Sequence, residues 1–222
     1  MVMIDLITGF LGSGKTTFLK KYAEYLMDQG LHIGILENDF GAINVDMLML
    51  HELRGDQCEL EMIAGGCDAE SHRRRFRTKL ISMRMCGYDR VLVEPSGIYD
   101  VDEFFDVLRE EPLDQWYEIG NVIAILDARL ENNLSPQADY LLASEAANAG
   151  KVILSHADAA TRKQCEDTVA HLNRALEQLR CDRRIDPEKD ILQTNLTDLT
   201  KEDLEEVSKC GYRLESYRKM DL

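Results

Sequence analysis

Nine consecutive residues, Gly9-Phe10-Leu11-Gly12-Ser13-Gly14-Lys15-Thr16-Thr17, carry the densest chemistry in the 222-residue sequence. Gly9, Gly14, Lys15 and Thr16 satisfy the pattern G-x-x-x-x-G-K-[ST], whose chemistry is the cradling of nucleotide phosphates. Glycines at 9, 12 and 14 let the backbone close around phosphate oxygens. The amides of the loop, Ser13 among them, and of the helix start then point inward, where the helix dipole also favours negative charge. Lys15 is placed to reach the β and γ phosphates, the Thr16 hydroxyl to bind Mg²⁺, and Thr17 to support the loop or the α phosphate. A second acidic element is expected in Arg90-Val91-Leu92-Val93-Glu94-Pro95-Ser96-Gly97, an apolar run ending on a carboxylate suited to hold Mg²⁺ directly or through water. Lys15, Thr16 and Glu94 form the expected catalytic set, and the backbone N–H of Gly97 is placed to sense the γ phosphate. The loop itself does not choose between ATP and GTP. Base choice falls to Ser155-His156-Ala157-Asp158, because an Asp carboxylate accepts two hydrogen bonds from the N1–H and exocyclic amine of guanine, a pairing adenine cannot reciprocate.

Such a loop works only between a strand and a helix, and the sequence predicts both. Strand candidates are Met3–Thr8, His32–Glu37, Glu59–Ile63, Arg90–Glu94, Asn121–Leu126, Lys151–Ser155 and Asp190–Thr194. Helix candidates between them are Lys15–Gln29, Glu70–Met85, Val101–Arg109, Ala138–Ala149, Ala160–Arg180 and Lys201–Lys209. Regular alternation of this kind predicts an α/β fold of the P-loop NTPase class, a mostly parallel central sheet with helices on both faces in three layers. Val169, Leu172, Leu176 and Leu179 recur at helical spacing and read as core packing. Gly30, Gly150 and Gly211 follow helical stretches, where a left-handed cap suits glycine.

Length and composition narrow the class. A single core can grow to roughly 250 residues, so residues 1–222 are expected to form one domain with no separate C-terminal domain. The net charge of −15 argues against nucleic acid as a partner, since phosphate contacts need clustered Lys and Arg. The apolar start, Met1 to Leu6, is broken by Asp5, so neither a signal-peptide core nor a membrane helix is predicted, and the expected location is the cytoplasm with no membrane partner. Six cysteines without a C-x-x-C pair read as reduced thiols. One basic run, Arg73, Arg74, Arg75, Arg77 and Lys79, reads as a solvated helix face or a docking site for an acidic partner.

Three segments together resemble the CobW/HypB/UreG family of P-loop GTPases, which act as metallochaperones or metal-insertion factors, and the CobW-like branch fits best. The loop Gly9 to Thr17 is similar to that branch's phosphate loop residue for residue, and Glu94 to Gly97 to its Glu-x-x-Gly. Asn38-Asp39-Phe40-Gly41 with Asp46 resembles its first switch segment, which implies that Asp39 and Asp46 contact Mg²⁺ or its waters. Two departures stand out. The family's Cys-x-Cys-Cys metal motif appears as Cys67-Asp68-Ala69-Glu70, leaving one thiolate. Cys67 with Glu70, His72 and Glu37 makes at most a mixed, weaker site for Zn²⁺ or another transition ion. The family's base-reading Asn/Ser-Lys-x-Asp appears as Ser155-His156-Ala157-Asp158, so histidine replaces the lysine that lies along the base and offers less aliphatic cover.

The resemblance implies slow hydrolysis of GTP to GDP with Mg²⁺, stimulated by a partner or a homodimer, and a switch that assists metal or metallocofactor delivery to a client protein. Two other readings stay open from sequence: a nucleotide-dependent assembly module without a metal role, and a small-molecule kinase on the same loop.

Overall fold

The computed structural model describes residues 1–10, 12–39, 49–64, 69–95, 101–130 and 133–219, and of positions 38, 39, 64 and 69 the backbone only. Strand β1 (Val2–Gly9) is buried everywhere except Met3, as a strand covered on both faces must be. It is followed by β2 (Ile33–Asp39), β3 (Cys58–Ala64), β4 (Arg90–Glu94), β5 (Tyr117–Asp127), β6 (Lys151–Ser155) and β7 (Ile191–Gln193). These make a seven-stranded parallel sheet in the order β3-β2-β4-β1-β5-β6-β7. Parallel neighbours cannot be joined by tight turns and need crossovers. Helices α1 (Lys15–Asp28), α2 (Ala69–Arg84), α3 (Val101–Leu108), α4 (Leu113–Trp116), α5 (Pro136–Ala147) and α6 (Arg162–Gln178) lie between strands along the chain, and α7 (Lys201–Val207) follows β7. The α/β class expected from the alternation is the class observed.

The differences from expectation have local causes. Helix α5 opens at Pro136 rather than Ala138, because Ser135 Oγ accepts from the Ala138 N–H at 3.2 Å and a proline at the first position gives up no needed donor. Helix α6 opens at Arg162 rather than Ala160, where Thr161 and Gln164 form a reciprocal capping box. Strand β5 begins at Tyr117, four residues before the expected Asn121, with the Tyr117 hydroxyl donating to Leu80 O at 2.7 Å. Gly30 and Gly211 take the expected positive φ, +83° and +66°, but Gly150 does not. Glycine is required there by crowding instead: a Cβ would fall 2.2 Å from Gly211 O and 2.4 Å from Cys210 O.

The chain divides into two compact units. The first contains β1 as far as Ile7, α1 from Thr16, β2 to β4 and α2 to α4. At its centre lies Asp5, wholly buried, whose Oδ2 accepts from the Tyr22 hydroxyl at 2.8 Å and from Arg90 Nη1 at 3.0 Å. Arg90 Nη1 also donates to the Tyr22 oxygen at 3.1 Å, so a carboxylate, a phenol and a guanidinium satisfy one another out of water. The second unit contains Thr8–Lys15, β5 from Asn121, β6, β7 and α5 to α7. There the expected stripe of Val169, Leu172, Leu176 and Leu179 is buried.

Asp5→Ala would leave a largely buried guanidinium without its carboxylate, and the variant is expected to lose about 3 kcal/mol of stability. The urea midpoint of unfolding at constant m-value measures it.

Candidate functional site

The phosphate-loop segment of the second unit is shaped by two close approaches. Gly9 has φ +143° and a Cβ there would lie 2.1 Å from Ile125 O; Gly14 has φ +96° and a Cβ there would lie 2.5 Å from Leu196 Cδ1. Only glycine meets both conditions, positive φ and no side chain. Between them the Ser13 N–H donates to Phe10 O at 3.1 Å, closing the turn. Lys15, 7% exposed, folds its Nζ onto Gly9 O at 2.8 Å and Phe10 O at 3.1 Å. Ser13 Oγ is buried without a hydrogen-bond partner among the described residues. A cationic group resting on backbone carbonyls beside an unspent hydroxyl fits an anion of phosphate type.

In the first unit Thr16 Oγ1 donates to Glu94 Oε1 at 2.8 Å, both residues being buried. The sequence reading gave these two the same task, and the structure brings them together. The parallel register of β2 and β4 sets Glu37 beside Glu94, and Glu37 is buried as well. A hydroxyl and adjacent carboxylates are hard oxygen donors of the kind Mg²⁺ takes. Thr17 is half-buried in the first turn of α1. Asp46, Cys67 and Gly97 lie outside the described residues, as does the side chain of Asp39. His72 is buried with its Nδ1 bonded to Glu103 Oε1 at 2.8 Å, while Glu70 is exposed. Among the described residues no three His, Cys, Asp or Glu side chains gather as metal ligands. Most of the basic run is engaged within the chain: Arg73 and Arg77 both pair with Glu110, and Lys79 pairs with Glu61.

At the carboxyl end of β6 in the second unit, Ser155 is buried and its Oγ donates to Leu126 O at 3.1 Å. His156 takes φ +54°, a left-handed conformation uncommon outside glycine. Its Nδ1 lies 3.2 Å from Ser155 Oγ and 3.2 Å from Asp127 Oδ2. Arg129 grips the same Asp127 through Nε at 3.0 Å and Nη2 at 2.8 Å, and those bonds hold the Asp127 carboxyl below its usual range. Where the family has a lysine, this chain has a ring turned toward a carboxylate. Asp158 is exposed, and Asn195 Nδ2 donates to its Oδ2 at 3.4 Å. Asn195 precedes Leu196, so the segment after β7 touches both Asp158 and the phosphate loop at Gly14. Sequence reading missed this segment. The available signal was Thr194-Asn195 just past the carboxyl end of a parallel strand, where ligands of such sheets bind.

Glu145, in the last turn of α5, was missed entirely. It is completely buried, and neither carboxyl oxygen has a hydrogen-bond partner among the described residues. Burial pushes the carboxyl up to about 8, and the positive charge of Lys15 acts in the opposite direction. Just beyond it, Arg183 Nη1 donates to Ala146 O at 2.6 Å and Ala147 O at 2.7 Å, satisfying carbonyls that end the helix.

A lysine folded into a glycine loop after β1, a hydroxyl–carboxylate pair at the next residue and a parallel sheet define a P-loop nucleotide-binding domain. The model of the CobW/HypB/UreG nucleotide-binding domain matches residues 3–185, and the chain belongs to that family. It is 28% identical over 185 residues to the zinc chaperone YjiA of Escherichia coli K12, an alignment covering 78% of this chain and 55% of the relative. It is 31% identical over 131 residues to the zinc chaperone YeiR of the same organism, covering 59% of this chain and 39% of the relative. Among solved structures, HypB from Helicobacter pylori in complex with nickel superposes with a TM-score of 0.54 at 18% identity, over 93% of this chain and 84% of that one, which is a likeness of fold. The chain spans about half or less of the length of these curated relatives.

Because the folded Glu145 carboxyl sits above the ordinary value of 4.5, the protein loses stability as pH rises from there toward 8, by at most about 1.4 kcal/mol per pH unit. Glu145→Gln removes that loss, so the gap in urea midpoints between the variant and the wild type widens across this window and is constant below it.

Proposed function

We propose that the chain binds GTP with Mg²⁺, hydrolyses it slowly to GDP, and uses the change as a switch in delivering a metal ion to a client protein. The observation that carries this reading is the Thr16–Glu94 hydrogen bond, one residue along the chain from a lysine already folded into the phosphate loop. Lys15 would exchange the carbonyls of Gly9 and Phe10 for the β and γ oxygens of the nucleotide, and the loop amides would hold the remaining phosphate charge in place. Thr16 and Glu94 would hold Mg²⁺, which when bound neutralises charge on the β and γ oxygens. Gly97 and the Asp39–Asp46 segment are the switch elements that would order around the γ phosphate and relax on its loss. Asp158, steadied by Asn195, would accept from guanine. With no lysine at position 156 to lie along the base, affinity is expected to be modest. The metal reading rests on the family and on relatives named as zinc chaperones. Cys67, Glu70, His72 and Glu37 would supply its donors, and a carboxylate on His72 Nδ1, as from Glu103, is the usual support of a metal-binding imidazole.

Lys15→Ala should weaken GTP binding by about a hundredfold, the ~3 kcal/mol of hydrogen bonds to a charged group. Asp158→Asn should turn preference from GTP to XTP, and an unchanged order of GTP, XTP and ATP affinities would remove Asp158 from base reading. Turnover of the isolated protein above about ten per second would contradict a switch. Zinc that survives dialysis in stoichiometric amount and is lost in Cys67→Ala supports the delivery role; hydrolysis and nucleotide affinity indifferent to zinc would sink it.

A further inference from the structure

The basic run of α2 divides between two sides of the helix. Arg73 and Arg77, four positions apart and therefore on one side, both pair with Glu110 beyond α3. Arg74, Arg75, Thr78 and Lys79 instead line a groove of about 580 Å³ together with Met62 and Ile63 of β3. All of these residues belong to the first unit, and the volume is that of a ligand or a short peptide segment. The described lining holds three cations and no acid, in a chain whose net charge is −15. The strand beside the groove ends the sheet. β3 pairs with β2 on one side, and among the described residues no strand covers its other side. An uncovered edge offers a row of backbone donors and acceptors to an added strand.

We propose that this edge and groove form a docking surface for an extended acidic segment of a partner protein, which adds to β3 as a further strand and sets an acidic side chain at every second position against α2. The pattern follows from geometry. Successive side chains of a strand point to opposite faces, and α2 lies over one face of β3, where Lys79 meets Glu61 at 2.8 Å. Alternate residues of a strand stand about 6.6 Å apart, and residues four apart on a helix, such as Arg75 and Lys79, stand about 6 Å apart along its axis. An acid at every second position therefore keeps step with the basic row. Backbone hydrogen bonds to β3 supply the affinity, and carboxylate–guanidinium contacts choose the partner. The acids of β3 itself are already engaged, Glu61 by Lys79 and Glu59 by the Tyr88 hydroxyl, which tempers the repulsion that an incoming carboxylate meets.

The inference goes beyond the proposed function and needs neither nucleotide nor metal. The full chain is titrated with a short fluorescent peptide alternating Glu with Val, with the same peptide N-methylated along its backbone, and with one in which Lys replaces Glu. The acidic peptide should bind, more weakly as salt is raised, and each control peptide should bind at least about tenfold less tightly. Arg74→Glu combined with Arg75→Glu should cost the acidic peptide at least about tenfold in affinity. Thr78→Glu, which keeps both arginines and adds a negative charge to the groove, should do the same. All these exposed substitutions should leave the urea midpoint of unfolding unchanged. Failure of the wild type to bind the acidic peptide overturns the proposal, and equal binding of the methylated peptide overturns strand addition. Displacement of the peptide by free glutamate at equal concentration would assign the groove to a small anion and overturn it too. A wild type that is dimeric by sedimentation and binds no peptide, but turns monomeric in the double arginine variant, would give the surface to a second copy of this chain instead.

Discussion

A lysine ammonium shielded from water has to rest on oxygen, and at Lys15 the oxygens are the carbonyls of Gly9 and Phe10. Much of the architecture follows from that need. The carbonyls face inward only because the chain leaves β1 at Gly9 with a backbone conformation closed to other residues, pressed against Ile125 O. The lysine is thus held by backbone carbonyls of its own loop. In the other unit, Thr16 stands within hydrogen-bond reach of Glu94.

Two buried acidic groups, one in each unit, are handled in opposite ways. Glu94 is buried beside a hydroxyl and on a strand next to Glu37, a setting that suits a divalent ion. Glu145 has no hydrogen-bond partner among the described residues, and desolvation favours its neutral form. Its position near the carboxyl end of α5 works in the same direction, because the helix dipole there disfavours a negative charge. Arg183 offsets that dipole by bonding the terminal carbonyls, which leaves desolvation as the main influence.

How much of this was legible in the sequence depends on the range of the signal. The central strands were legible because strands buried on both faces are continuous apolar runs, β3 because its apolar residues alternate with polar ones, and the glycine-lysine loop because its residue types and spacing form a recognisable pattern. Helix starts at Pro136 and Arg162 were misplaced by two residues because their caps, Ser135 and Thr161, were not weighed. Gly150 looked like a helix cap and is instead a point where two backbones meet, a fact carried by Cys210 and Gly211 some sixty residues away. The same distance problem hid the rest of the site. Glu37 stands beside Glu94 only through the β2–β4 register, Asn195 meets Asp158 only through the packing of the loop after β7, and Glu145 has the composition of an ordinary helical acid until its burial is seen. That His156 replaces a lysine was plain; that its ring turns to Asp127 was not.

The contact of Leu196 with Gly14 gives the phosphate loop a second reader. Because the leucine occupies the space a side chain at position 14 would take, the loop and the stretch after β7 fit like a peg in a socket. Leu196 is bonded to Asn195, and Asn195 steadies Asp158. A methyl group added at position 14 would thus lever the peg outward and carry the disturbance through Asn195 to Asp158. The loop and the segment that meets Asp158 are therefore one mechanical part, and a change at either is felt at the other.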